Sequence, residues 1–293
     1  MNKLRNKKNS KRPHISYKYI IAFCATFAIC NFFVEEIANK NEGKNSPQVQ
    51  NLRLNQAQNY KSNIEVQKFS KKVAKNNFEN SSIKDRKKEF IADLLPIIQN
   101  ANQDILEKRD ILFEITKKIE RNDLNVLEAA ILKKLFNEYK VKNNDVAELK
   151  KRIDIVPISL GIAQAAIESG WGTSRFAVEG NAYFGQKVIG KKANGIKPTD
   201  SENPLIKVRS FKNLNDSVKA YINNLNTHFA YKDFRKSRYE LRSFGKTLEG
   251  RILANQLIKY SEIGDDYIEN IQKIIKKNNL SKFDFIEYRS AQR

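Results

Sequence analysis

Glu168 is the residue on which proton-transfer chemistry could most directly be built. It stands in the run Glu168-Ser169-Gly170-Trp171-Gly172, at the end of an apolar stretch, ISLGIAQAAIES. Asp154-Ile155-Val156-Pro157 reads as the start of a helix, with Pro tolerated in the first turn. Gly170 and Gly172 read as its stop, because glycine takes the positive φ values that end a helix. Gly161, Gln164, Ala165 and Glu168 fall three or four apart and share one face. A carboxylate at that end faces the negative pole of the helix dipole. Its apolar neighbours penalise the charged form. Both effects raise its pKa, as a general acid working near neutral pH requires. A surface Glu that merely precedes a glycine turn would show the same local pattern, so residue type and position leave both readings open.

The flanking motifs add a resemblance. The run AQAAIESGWGTSRFAVEGNAYFGQ, from Ala163 to Gln186, resembles the glucosaminidase domain of bacterial autolysins, glycoside hydrolase family 73. It looks closest to the Bax-type branch of Gram-negative bacteria. The likeness continues in SVKAYINNLNTHFAYKDFR, from Ser217 to Arg235, and in YSEIGDDYIENIQKII, from Tyr260 to Ile275. KKEFIADLLPIIQNAN, from Lys87 to Asn102, is similar to the segment that precedes the domain in Bax-type proteins. Two departures stand out. Asn181-Ala182 replaces the usual Asn-Asn or Asn-Leu, and Ser261-Glu262 replaces Ala-Thr after Tyr260.

The resemblance implies a mainly α, lysozyme-like α+β domain with a small β-like lobe over the cleft. It implies hydrolysis of the β-1,4 bond after N-acetylglucosamine in peptidoglycan glycan strands, with Glu168 protonating the leaving oxygen. The second catalytic group would be Glu202, 34 residues after Glu168, or Asp200, or Tyr260, or the substrate's own acetamido group. Gln164, Asn181, Phe184 and Tyr267 would contact the glycan. Gln164 could equally brace Glu168. Trp171, the only Trp, reads first as a packing residue and second as a sugar-stacking one. Tyr221 and Asn224 share a helix face and could contact the glycan, but packing is the preferred reading of both.

Several elements must hold these residues in place. From Arg86 to about Lys142 apolar residues recur at helical spacing, with a turn expected near Asn122-Asp123. Two or three amphipathic helices fit, and Pro96 with uneven heptads argues for packing onto the following domain rather than a coiled coil. Gly190, Gly195, Pro198 and Pro204 break helical runs between Gln186 and Phe211, the expected small lobe. Leu205 to Phe211 is the best strand candidate. Asp216 or Asn215 is expected to cap the helix SVKAYINNLN.

The chain divides accordingly. Residues 1–14 are a basic cytoplasmic tail, 15–35 a transmembrane anchor or uncleaved signal, 36–85 a polar linker, 86–145 a helical segment, and 146–293 the glucosaminidase domain. The run from Ile15 to Val34 just reaches the roughly 17 to 25 residues that a spanning helix needs. A cleaved signal peptide is the rival, but Phe27 and Ile29 interrupt any small-x-small cleavage pattern. Either reading puts the positive flank in the cytoplasm and the domain outside the inner membrane, in the periplasm, or secreted if cleavage occurs.

Composition narrows the function classes. The net charge of +21 favours polyanionic partners, and with 26 basic and 15 acidic residues from Lys150 onward it is not confined to a tail. An acidic cell envelope explains it better than nucleic acid, given the expected topology. The only cysteines, Cys24 and Cys30, lie in the apolar run, and His14 and His228 are far apart. No disulfide framework, metal site or cofactor is therefore expected, and His228 reads as a helix-end or packing residue. Two rivals remain: a lytic transglycosylase or muramidase on the same fold, and a non-catalytic wall-binding scaffold. Oligomeric state is unspecified.

Overall fold

The computed structural model describes residues 82–199, 201–261, 264–286 and 288. The anchor, the tail and nearly all of the linker expected from the sequence lie outside these residues. Among the described residues no helix is long and apolar enough to cross a membrane.

The described chain is mainly helical, with one small sheet. Helix α1 (Ile83–Glu120) is a single 38-residue helix that runs straight through Pro96. Proline removes one backbone bond and crowds the preceding turn. Here Leu94, Ile97, Ile98 and Ala101, all buried on either side of it, supply compensating packing. The helix ends at the expected place, and Asn122 takes a left-handed φ of 54° just beyond it. Asn125 and Glu128 then form a capping box that starts α2 (Val126–Glu138). A short α3 (Val146–Arg152) follows.

Helix α4 (Ile158–Ser169) is the centre of the molecule. Ten of its twelve residues are buried, including Ser159 and Gln164. A helix apolar on every face belongs in a core, and α1 lies against it along with several later elements. Gly170 ends it with φ 58°, the left-handed stop anticipated from the sequence. Its start differs from expectation. Pro157 is the N-cap and makes no side-chain capping bond.

Asp154 does not cap that helix. Its carboxylate is buried and takes a two-pronged bond from Arg242, Nε at 2.7 Å and Nη2 at 2.6 Å. Arg109 Nη1 stands 3.7 Å away. The wholly buried Arg238 donates to the carbonyls of Lys151, Asp154 and Ile155. Asn102 and Val156 bond reciprocally, and Asn226 donates to the Asp154 carbonyl. Residues 151–156 are thus clamped from α1 and from two later helices. Burial alone would raise the Asp154 carboxyl, but Arg238, Arg242 and Arg109 hold it below the usual carboxylate range.

Helix α5 (Arg175–Gly180) leads into the small lobe, where β1 (Lys187–Ile189), β2 (Gly195–Ile196) and β3 (Ile206–Arg209) form an antiparallel sheet in the order β1-β3-β2. Val188 faces Lys207 and Ile196 faces Val208. The strand expected between Leu205 and Phe211 is present as β3. Helix α6 (Leu214–Thr227) starts one residue before the positions expected to cap it. Asn213 is its cap, and Asp216, in the first turn, donates its N–H to the Asn213 side chain at 2.9 Å. Helices α7 (Lys232–Ser243), α8 (Gly250–Leu253) and α9 (Asp265–Lys277) complete the main lobe. Both α8 and α9 pack on α4, as does the turn Leu280–Phe285. At Gly250 a Cβ would stand 2.8 Å from the Leu160 backbone nitrogen, so glycine is what allows α8 to abut α4. His228 ends α6, and its Nδ1 accepts from the Ala230 N–H, a helix-end role as anticipated.

Candidate active site

Glu168 sits in the last turn of α4, half-buried. The turn beyond it is tied down locally. Ser169 Oγ donates to the Ala165 carbonyl at 2.6 Å and accepts from the Gly172 N–H at 2.8 Å. Burial raises the Glu168 pKa, while the Tyr267 hydrogen bond and the Lys187 charge oppose the rise without cancelling it. The net effect is a carboxyl that holds its proton to higher pH than an exposed one.

Gly185 shapes the space on one side of that carboxyl. Its φ is +61°, and a Cβ there would stand 2.5 Å from Glu168 Oε2. The glycine therefore serves twice, by taking a left-handed backbone and by leaving room for the acid.

Five aromatic rings surround the acid. Phe184 and Tyr221 stack with centroids 4.0 Å apart and planes 9° apart. Tyr260 and Tyr267 lie nearly parallel at 5.5 Å, and Tyr231 leans on Tyr260 at 5.8 Å. The Tyr260 hydroxyl donates to the Phe184 carbonyl at 2.9 Å, joining the loop after α5 to the C-terminal half of the chain. Burial first, and the Glu168 charge after it, push the hydroxyls of Tyr221, Tyr231, Tyr260 and Tyr267 upward, so all four remain protonated donors.

Gln164 is wholly buried one turn before the acid. Its Oε1 accepts from the Tyr221 hydroxyl at 2.7 Å, and its Nε2 donates to the Tyr267 oxygen at 3.0 Å. Both ends of its amide are therefore engaged by tyrosines of the ring cluster beside the acid. Phe184 is buried as well and meets the site through its ring stack and its carbonyl. Tyr267 is buried and bonds Glu168 directly. Asn181 is half-buried with φ 50°, and its amide donates to the Phe211 carbonyl at 3.1 Å, fastening the ends of the small lobe together. Trp171 packs edge-on against Phe90 of α1 at 5.4 Å, with Lys87 Nζ 4.7 Å from its ring centre.

Glu168, Gln164, Tyr260, Tyr267 and Phe184 are therefore brought together. Glu202 is not. It is exposed on the loop between β2 and β3, and the one described charge acting on Glu168 is that of Lys187. Asp200 lies outside the described residues. The sequence did not single out Gly185, Lys187 or Tyr231, while the packing preferred for Tyr221 over a glycan contact agrees with its complete burial and its stack on Phe184. Gly185 carried only the general signal of a glycine, which permits a left-handed backbone or a close approach. Among the described residues no group of three or more His, Cys, Asp or Glu side chains is placed to hold a metal ion.

Residues 143–280 match the glucosaminidase domain family, described as mannosyl-glycoprotein endo-beta-N-acetylglucosaminidase. The chain is 35% identical over 188 residues to Protein bax of Escherichia coli (strain K12). That alignment covers 62% of this chain and 66% of the relative, just under two thirds of its length. Among solved structures, the catalytic domain of the autolysin Auto from Listeria monocytogenes aligns at 14% identity with a TM-score of 0.39, covering 74% of this chain and 96% of that domain.

Proposed function

We propose that this chain, whose residues 143–280 match the glucosaminidase domain family, is a glycoside hydrolase cutting the β-1,4 bond after N-acetylglucosamine in peptidoglycan. The observation that carries the reading is Glu168 itself: a half-buried carboxyl, raised by burial, held by a tyrosine hydroxyl and flanked by stacked rings. Such a carboxyl keeps its proton long enough to deliver it to a glycosidic oxygen. As the bond from the sugar C1 to that oxygen breaks, Glu168 becomes a carboxylate, and the Tyr267 O–H then bonds a full negative charge. Water adds to C1, and its released proton restores the acid.

The second group is assigned first to Glu202, carried toward bound glycan by the loop between β2 and β3. Its exposure supports a second reading, in which the substrate's acetamido group assists and Glu202 is dispensable. Tyr260 is the weaker candidate, because its hydroxyl is engaged by the Phe184 carbonyl. The protein is proposed to act on the outer side of the inner membrane, tethered through residues 15–35, with its +21 charge favouring the acidic envelope. A zymogram of residues 82–293 over a peptidoglycan gel tests the assignment. Clearing by the wild type and none by Glu168→Gln is expected, and equal clearing by the variant would remove Glu168 from the chemistry. No clearing by either would favour a non-catalytic scaffold.

A further inference from the structure

The chain of bonds behind Glu168 has a direction. Tyr221 is wholly buried, and among the described residues its hydroxyl bonds one partner, Gln164 Oε1, at 2.7 Å. A buried O–H without an acceptor is strongly disfavoured. That requirement sets the Gln164 amide with its oxygen toward Tyr221 and its nitrogen toward Tyr267. Nε2 then donates to the Tyr267 oxygen at 3.0 Å, which leaves the Tyr267 proton for Glu168. If the amide turned over, Tyr267 would find an acceptor in Gln164 and could donate there instead. The Tyr221 proton would then have none.

We propose that Tyr221 and Gln164 are positioning residues for the acid: the Tyr221 hydroxyl locks the Gln164 amide, and the locked amide aims the Tyr267 O–H at Glu168. This rests on the reading of Glu168 as general acid and adds what sets its protonation and orientation. The parts come from three helices. Gln164 and Glu168 lie one turn apart on α4, Tyr221 is on α6 and Tyr267 on α9. Stacking of Tyr221 on Phe184 fixes the first hydroxyl, and that of Tyr267 on Tyr260 fixes the last. The groups facing Glu168 are Tyr267 from α9, Tyr221 from α6, Tyr231 and Tyr260 from the connecting turns, and Lys187 from β1. Of these, only Tyr267 and Lys187 favour the carboxylate, so turning Tyr267 away makes Glu168 hold its proton to higher pH.

The test is the pH profile of kcat/KM on soluble glycan for the wild type, Tyr267→Phe, Tyr221→Phe and the double variant, beside a carboxyl-carbon NMR titration of Glu168 assigned with Glu168→Gln. The expected result is an alkaline limb, and a Glu168 titration, moved to higher pH in Tyr267→Phe and also in Tyr221→Phe. The hydroxyl lost from Tyr221 is the one bonded to Gln164, and its ring keeps the stack on Phe184. The double variant should match Tyr267→Phe, because the relay reaches Glu168 through Tyr267 alone. An unmoved titration in Tyr221→Phe, or a shift that adds to that of Tyr267→Phe, would overturn the proposal. Full activity in Glu168→Gln would instead sink the general-acid reading, while the NMR titration would still report on the relay.

Discussion

Replacing Gly185 by Ala separates two consequences of one glycine. The first is backbone strain. Gly185 has φ +61°, and placing a Cβ in the left-handed region costs about 1–2 kcal/mol. The second is displacement of the acid. The new Cβ would lie 2.5 Å from Glu168 Oε2 and 3.4 Å from its Cδ, where ordinary contact starts at 3.4 Å, so the oxygen must retreat by about 0.9 Å. A carboxylate at the end of a side chain can yield at little cost in stability. The loss therefore falls on catalysis, where a misplacement near 1 Å costs about a hundredfold in rate. Gly245 supplies the control, with φ +64° and nothing within 4 Å of its Cβ position. Gly245→Ala should pay the same strain and keep the wild-type rate. Urea unfolding, paired with the rate of reducing-end release from purified peptidoglycan, reads both quantities. Comparable rates for the two variants would refute the claim that Gly185 makes room for the acid.

Asp154→Asn should cost about 3–5 kcal/mol in urea unfolding, because it leaves Arg109, Arg238 and Arg242 around a neutral group. The Asp154 carboxyl is held below its unfolded value, so its contribution is complete above about pH 4 and fades as pH falls through the folded value. The variant should show a flatter loss of stability in acid than the wild type. Glu168 has the opposite sign. Its folded pKa is raised, so ionisation weighs against folding as pH rises past the unfolded value of about 4.3. Glu168→Gln should melt above the wild type at neutral pH, with the gap closing in acid, as thermal unfolding across pH would record. Glu202→Gln should lose most hydrolytic activity if the loop between β2 and β3 brings this carboxylate to the sugar. Undiminished turnover would move the mechanism to substrate assistance.

What could be read in advance divides by the range of the interaction. The stop at Gly170, the turn at Asn122 and the strand β3 are set by residues within a few positions of one another, and all appear where expected. Helix α1 ends at the turn expected from the sequence, and it continues through Pro96 because packing on both sides of the proline compensates for the lost backbone bond. Asp154 resembled a cap locally, yet Arg238 and Arg242, the α7 residues that claim it, arrive 84 and 88 residues later. The Asn213 cap lies two and three residues upstream of the positions considered, Asn215 and Asp216, since helix boundaries follow backbone bonding more closely than apolar pattern. At the site, Glu168 and Tyr267 were singled out by motifs. The contact of Tyr221 with Gln164 was not, because it joins residues 57 apart in the chain. The exposure of Glu202 was equally hidden, since spacing along the chain does not fix how a loop folds.

The most direct test of the central claim is mass spectrometry of peptidoglycan digested by the wild type and by Glu168→Gln. The wild type should release fragments ending in reducing N-acetylglucosamine, and the variant none. Anhydro-muramic or reducing muramic ends from the wild type, or the same fragments from both proteins, would contradict it.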